Sequence, residues 1–122
     1  MGRVSNTTIK IDNKVYIYSR VSTKKQFESG NLVRQTQRLK EYCLNKNYEV
    51  IATYSEIASG LNDKRAKLIK MLSNLNGISK IVVEYPDRLT RFGLNYLIIM
   101  LKNLGIVVNS LKVMKITLLT KI

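Results

Sequence analysis

The chain is predicted to be an α/β domain of three layers, a mostly parallel central sheet flanked by helices. Three observations predict this. Short β-branched and aromatic runs at residues 15–18, 48–54, 80–84 and 106–108 alternate with stretches whose apolar residues recur at helical spacing. The connections between the runs are long enough for the crossovers that parallel strands need. At 122 residues the chain makes one domain, large enough for a genuine core.

Each element has its own justification. Residues 1–14 are polar and rich in Asn, Thr and Lys, and read as a leader or linker stub ahead of a domain spanning 15–122. Val15-Tyr16-Ile17-Tyr18 has the composition of a buried parallel strand. Residues 23–31 read as a polar loop containing Ser29-Gly30-Asn31, expected to be mobile. A helix follows over 32–45, with Leu32, Leu39 and Cys43 on one stripe. The strand at 48–54 carries Val50, Ile51 and Ala52 in its interior, and Ser59-Gly60-Leu61-Asn62-Asp63 is turn-rich. A helix over 64–74 has its apolar residues at Leu68, Ile69 and Leu72 and stops at Asn76-Gly77. Ile81-Val82-Val83 forms the third strand, with Pro86 just beyond it. The last helix, 94–104, closes at Gly105 before the strand Ile106-Val107-Val108.

Composition narrows the function. Lys and Arg total 21 against 8 acidic residues, a formal charge of +13, which points to a polyanionic partner. Nucleic acid fits better than a membrane surface, because no apolar run approaches the ~20 residues of a spanning helix. Histidine is absent, so a Ser-His-Asp hydrolase is excluded. Cys43 is the single cysteine, which rules out an internal disulfide or a thiolate zinc site and leaves core packing as its role. No cofactor or metal is expected. Met1-Gly2-Arg3-Val4-Ser5 lacks the apolar stretch of a signal peptide, so a cytoplasmic, nucleoid-associated protein is the default.

Two segments carry the chemistry. Tyr18-Ser19-Arg20-Val21-Ser22 offers a hydroxyl nucleophile, Ser22, two residues from an arginine. Positions two apart share a strand face, so Tyr18, Arg20 and Ser22 point one way if the strand extends that far. A buried arginine needs a partner, and Arg20 is expected to find a carboxylate, from Asp87 or Glu56, or a bound phosphate. Asp87-Arg88-Leu89-Thr90-Arg91 offers a carboxylate and two arginines three residues apart, as on one side of a helical turn feeding the helix at 94. Arg65 sits in a similar place beyond the Ser59-Gly60 turn. Ligands in parallel sheets bind outside the carboxyl ends of the strands, and both segments lie there. A serine beside converging guanidiniums suits attack on a phosphate, whose transition state gains negative charge.

These residues in this order resemble the catalytic domain of the serine recombinases, the resolvase/invertase family. Tyr18-Ser19-Arg20-Val21-Ser22 is similar to the family's Tyr-x-Arg-Val-Ser motif, which implies Ser22 as nucleophile, Arg20 as a catalytic arginine and Tyr18 in support. Leu32-Val33-Arg34-Gln35 resembles the start of the family's first helix and implies an active-site role for Gln35. Ala58-Ser59-Gly60 with Arg65 resembles the family's Ala-Ser-Gly loop and downstream arginine, which implies contacts to DNA phosphate or support of the site. Asp87-Arg88-Leu89-Thr90-Arg91 resembles the Asp-Arg-Leu-x-Arg signature and implies Asp87, Arg88 and Arg91 in the active site. Ser59-Gly60-Leu61-Asn62 and Arg91-Phe92-Gly93 with Tyr96 are most similar to the serine transposases of small insertion sequences.

The resemblance implies double-stranded DNA as substrate and a two-step transesterification through a 5′-phosphoserine, with no metal because arginines replace the metal clamp. It implies homodimers that assemble into tetramers in the full-length active form. Asp87, an arginine or water are the candidates for the base. Two departures stand out: no helix-turn-helix of the multidrug-regulator type precedes residue 15, and beyond Gly105 the likeness fades, Leu111-Lys112-Val113-Met114-Lys115-Ile116 being unlike the family's long dimerising helix. The chain therefore reads as truncated or divergent there, with Ser22 expected to sit too far from its arginines until DNA or a partner orders the 23–31 loop. The alternative is an inactive fragment that binds DNA or another subunit. A response-regulator or flavodoxin-like domain fits the alternation of elements but not the arginines.

Overall fold

The computed structural model describes residues 13–62 and 64–112. The leader stub up to residue 12, Asp63 of the turn and the segment from Val113 onward lie outside the described residues. The elements run β1 (Lys14–Val21), α1 (Lys24–Glu28), α2 (Asn31–Asn45), β2 (Glu49–Ile57), α3 (Ala66–Leu72), β3 (Lys80–Val83), a 3₁₀ turn (Pro86–Arg88), α4 (Leu94–Asn103) and β4 (Val107–Ser110). The four strands form one parallel sheet in the order β2-β1-β3-β4. Among the described residues no helix is long and apolar enough to cross a membrane.

The period-two pattern of β1 splits the core into two layers. Val15 and Ile17 face α2, where Leu39 and Cys43 pack against them and Val82. Tyr16 and Tyr18 face the other side and join Met71 of α3, Leu101 of α4, Ile81, Val83, Leu89 and Ile106. β1 lies between β2 and β3, so every residue from Val15 to Val21 is buried. Burial also pushes the Cys43 thiol up to about 11, so it stays protonated and acts as a small apolar group.

Several boundaries differ from the sequence expectation, each for a physical reason. The polar 23–31 stretch is not a plain loop: it holds α1, whose N-terminus Thr23 and Gln26 close with a reciprocal capping box. β2 runs on to Ile57 because it pairs with β1 along its whole length, Lys14 opposite Glu49 through Val21 opposite Ile57. As an edge strand it leaves Val50 and Ile51 exposed rather than interior. α3 starts only at Ala66 because Arg65 is extended, and its buried residue is Met71 while Ile69 faces out. Arg88 and Arg91 do not share a helical turn. The 3₁₀ turn ends at Arg88, and α4 begins at Leu94 behind Gly93, whose φ of 68° reverses the chain.

The strand order places a topological switch between β1 and β3. The chain winds from β1 outward to β2, then returns to the far side of β1 to build β3 and β4. The two loops that leave this switch point carry Ser22 and Asp87-Arg88, and the crevice between them is where α/β sheets bind ligands.

The core assignment predicts a contrast within α2. Leu39→Ala should destabilise the domain by about 2–5 kcal/mol, the cost of a buried cavity. Val33→Ala, on the exposed face of the same helix, should fall within about 0.5 kcal/mol of the parent. Urea unfolding followed by circular dichroism measures both.

Candidate active site

Ser22 lies one residue past the end of β1 and is exposed, whereas Ser19, three residues earlier, is buried. The Ser19 hydroxyl is taken up in an internal cluster, 2.7 Å from both Thr36 Oγ1 and Ser55 Oγ. Of the two, Ser22 is the exposed one, and it accepts a hydrogen bond of 3.3 Å from Arg20 Nη1. The expectation that Ser22 sits out of reach of its arginines is therefore corrected for Arg20.

Arg20 is 1% exposed, and of the partners expected for it the carboxylate is corrected. Among the described residues no carboxylate binds it. Its Nε donates to the Arg88 carbonyl at 2.8 Å, Nη1 to the Ala58 carbonyl at 2.9 Å and Nη2 to the Asp87 carbonyl at 3.0 Å. Carbonyls of two loops satisfy the planar fork, which is how a guanidinium can be buried without a counter-ion. Burial pulls the Arg20 pKa below its ordinary value, and the charges of Arg65 and Arg88 add to this against Tyr18 and Asp87.

Arg65, 2% exposed, approaches from the N-terminus of α3. Its Nη2 donates to the Tyr18 hydroxyl and, at 2.9 Å, to the same Arg88 carbonyl that Arg20 uses. The Tyr18 hydroxyl in turn donates to Glu56 Oε2. Burial, opposed by Arg65 and assisted by Glu56, pushes the Tyr18 phenol well above its usual pKa, so it stays a donor. Glu56 also accepts from the Lys67 and Leu68 amides at 3.0 and 3.1 Å, tying the start of α3 to β2. Tyr18 is thus sealed inside and braces the site from below.

Gly60 is the point of closest approach. A Cβ there would lie 2.5 Å from Arg91 Cγ, 2.8 Å from Arg91 Cδ and 2.9 Å from Arg20 Nη2. Only a residue without a side chain lets Arg91 cross this loop beside Arg20. The Arg91 amide donates to the Gly60 carbonyl at 3.1 Å and fixes the crossing. Among the described residues, the Arg91 guanidinium has no partner, and the buried Arg88 Nε has no hydrogen bond. Arg88 instead lies over the Tyr85 ring, 5.5 Å from its centroid.

The remaining residues of the sequence reading have other placements. Gln35 does not reach the crevice. Its Oε1 accepts from the Arg20 amide at 3.0 Å and its Nε2 donates to the Arg20 carbonyl at 3.1 Å. Ser59 turns its hydroxyl back to the Leu61 amide, within its own turn. Asp87 contributes its carbonyl to Arg20. Sequence reading missed Gln26, whose Oε1 accepts from the Ser22 and Thr23 amides at 2.9 and 3.2 Å. The Thr-x-x-Gln spacing of a capping box was the available signal. It also missed Glu84, which follows β3 and binds Arg38 at 2.6 Å and Lys112 at 3.6 Å.

Comparison with known proteins bears on this geometry. The profile described as "Resolvase, N terminal domain" matches residues 15–121. The chain belongs to the resolvase family. It is similar to the C-terminal catalytic domain of ISC1926 TnpA, an IS607-like serine recombinase: 35% identity, TM-score 0.76, covering 84% of this chain and 70% of that one. A serine recombinase from Sulfolobus solfataricus is 37% identical with a TM-score of 0.68, covering 89% of this chain and 76% of that one. A resolvase-like protein of Acanthamoeba polyphaga mimivirus is 39% identical over 84 residues, 67% of this chain. The chain spans about two fifths of that relative's length (40%). The four-stranded parallel sheet flanked by helices is the architecture of these resolvase-family catalytic domains.

Two predictions follow from the site's packing. Gly60→Ala should displace Arg91 from its crossing, because the clash involves the base of that side chain rather than its flexible tip. Crystals of the variant should show Arg91 turned away from Arg20, with stability reduced by about 1–3 kcal/mol as for other overpacked positions. The second concerns acid. Burial raises the Glu84 carboxyl, but the Arg38 hydrogen bond and the charges of Arg38, Lys112 and Arg88 outweigh it, and its pKa falls below the usual 4.5. Its contribution is therefore fully present above pH 4.5 and is lost as pH falls through the lower folded value. Glu84→Gln should cost about 2 kcal/mol at pH 7, and the gap from the parent should close on acidification in urea titrations.

Proposed function

We propose that this chain is the catalytic domain of a serine-type DNA recombinase or transposase, with Ser22 as nucleophile and Arg20, Arg65, Arg88 and Arg91 forming its electrostatic frame. One observation carries the reading. The exposed Ser22 hydroxyl is held by a buried arginine at the topological switch of the sheet, beside Arg88 and Arg91, which make no ion pair among the described residues. Family membership supports it.

The chemistry follows from these groups. Ser22 Oγ attacks a DNA phosphorus atom, the bond from phosphorus to the 3′ oxygen breaks, and that oxygen leaves with a proton. A 5′-phosphoserine and a 3′-hydroxyl result. The phosphodiester carries one negative charge and the pentavalent transition state about two, so fixed guanidiniums favour the transition state over the ground state. Arg20 serves Ser22 by donating to its oxygen, which stabilises the charge that grows there as the proton departs. Arg88 and Arg91 have free donors for the phosphate oxygens, while Tyr18, Arg65, Gly60 and Gln35 hold the frame. Reversal on a new 3′-hydroxyl rejoins the strand without an outside energy source, because the phosphoserine conserves the bond energy.

Rejoining two duplexes requires four cut strands and hence four copies of Ser22. A tetramer built from dimers, working on nucleoid or cytoplasmic DNA, meets this requirement. With a charge of +13, this domain should bind DNA through phosphates, weakly, with little regard to sequence and with a steep salt dependence.

Supercoiled plasmid carrying the DNA that flanks this chain's own gene tests the reading. Protein should become attached to 5′ ends in the parent, and the attachment should vanish in Ser22→Ala while surviving in Ser19→Ala. Absence of any adduct in the parent overturns the activity assigned here.

A further inference from the structure

The main chain that delivers Ser22 leaves the sheet on one side before it reaches the serine. β1 pairs with β3 only from Val15 to Ile17, but with β2 as far as Val21. Beyond Ile17, backbone groups on the β3 side need other partners. Two glutamine amides supply them. Gln35 brackets Arg20, taking its N–H and giving to its carbonyl. Gln26 takes the N–H groups of the next turn: its Oε1 accepts from Ser22 at 2.9 Å and from Thr23 at 3.2 Å.

A capping box explains the bond to Thr23, because the box pairs the N-cap amide with the side chain three residues on. It does not explain the shorter bond to Ser22. α1 is five residues long and buries none of them, so core packing is not what places Gln26. What places it is its own amide, which donates to Thr23 Oγ1 at 3.1 Å. The carbonyl of Gln26 is thereby anchored at one end to α1 and closes at the other on the serine's backbone. Fixing the Ser22 N–H fixes the plane of the Val21–Ser22 peptide. That restricts where Cβ projects, and the hydroxyl is left against Arg20 Nη1.

We propose that Gln26 is a positioning residue for the reaction: its side-chain carbonyl clamps the Ser22 backbone so that the hydroxyl stays on the Arg20 guanidinium. The proposal rests on Ser22 being the nucleophile, as read above. It gives α1 a task beyond connecting two elements, since unfolding α1 would release the clamp.

Two variants of the full chain separate the clamp from simple capping. Gln26→Met keeps the length and loses the acceptor. Gln26→Glu keeps the acceptor and completes the commoner form of the box. In the parent, the Ser22 and Thr23 amides should show the low temperature coefficients of hydrogen-bonded protons by NMR. Both should become solvent-like in Gln26→Met and return in Gln26→Glu. With saturating plasmid of the kind described above, the single-turnover rate of 5′ adduct formation should fall about 100-fold in Gln26→Met, the scale expected for misplacing a reacting group by about 1 Å. DNA affinity should change little, and Gln26→Glu should recover most of the rate. An unchanged Ser22 amide in Gln26→Met overturns the clamp, as does a lost amide with an unchanged rate. If the parent itself forms no adduct, the recombinase reading falls, and the Ser22 amide in Gln26→Met alone decides whether the clamp exists.

Discussion

Arg20 holds the candidate site together. Its guanidinium ties the ends of three strands: it starts on β1, reaches the Ala58 carbonyl after β2, and takes the Asp87 and Arg88 carbonyls after β3. Burying a cation costs several kcal/mol unless its donors are met. Here main-chain carbonyls meet them in a planar fork that a lysine could not reproduce. Gln35 then pins the backbone of Arg20 itself, so the fork cannot slide along the strand. The remaining contact of this arginine is the hydroxyl of Ser22.

Because carbonyls rather than carboxylates satisfy Arg20, its positive charge is not neutralised. Two nearby acids are held by other groups, Glu56 by Tyr18, Arg65 and the amides of α3 and Glu84 by Arg38 and Lys112, while the charge of Asp87 opposes the shift of Arg20. Arg65 and Arg88 further lower the pKa of Arg20 after burial has done so. A pocket of this kind is unfavourable for its own cations and is relieved by an incoming anion. That is the electrostatic arrangement a doubly charged phosphoryl transition state requires.

The loops contribute by closeness as much as by charge. Gly60 allows Arg91 to lie over the Ser59-Gly60 turn beside Arg20, and the backbone bond from Arg91 to Gly60 locks the two loops together. Tyr18, Glu56 and Arg65 form a buried brace under the same point, linking β1, β2 and the start of α3. The site is therefore anchored to β1, to the ends of β2 and β3 and to the start of α3.

The sequence by itself determined the layering and the location of the site. Short β-branched and aromatic runs alternating with helical stretches favour a mostly parallel sheet under right-handed crossovers, and this brings Ser22 and Asp87-Arg88 to the same edge. The core stripe Leu32, Leu39 and Cys43 was equally legible, because burial there follows a single helix's periodicity. What the tertiary structure alone decided was which groups pair. Local spacing suggested a carboxylate for Arg20 and a shared helical turn for Arg88 and Arg91. The chain instead brings carbonyls far away in sequence to Arg20 and ends the turn at Arg88. Main-chain carbonyls are the same in every residue, so no sequence pattern marks them as ligands. The two serines of the first motif show the same limit: one hydroxyl is buried against Thr36 and Ser55 and the other is exposed beside Arg20, a difference set by where α2 and β2 pack.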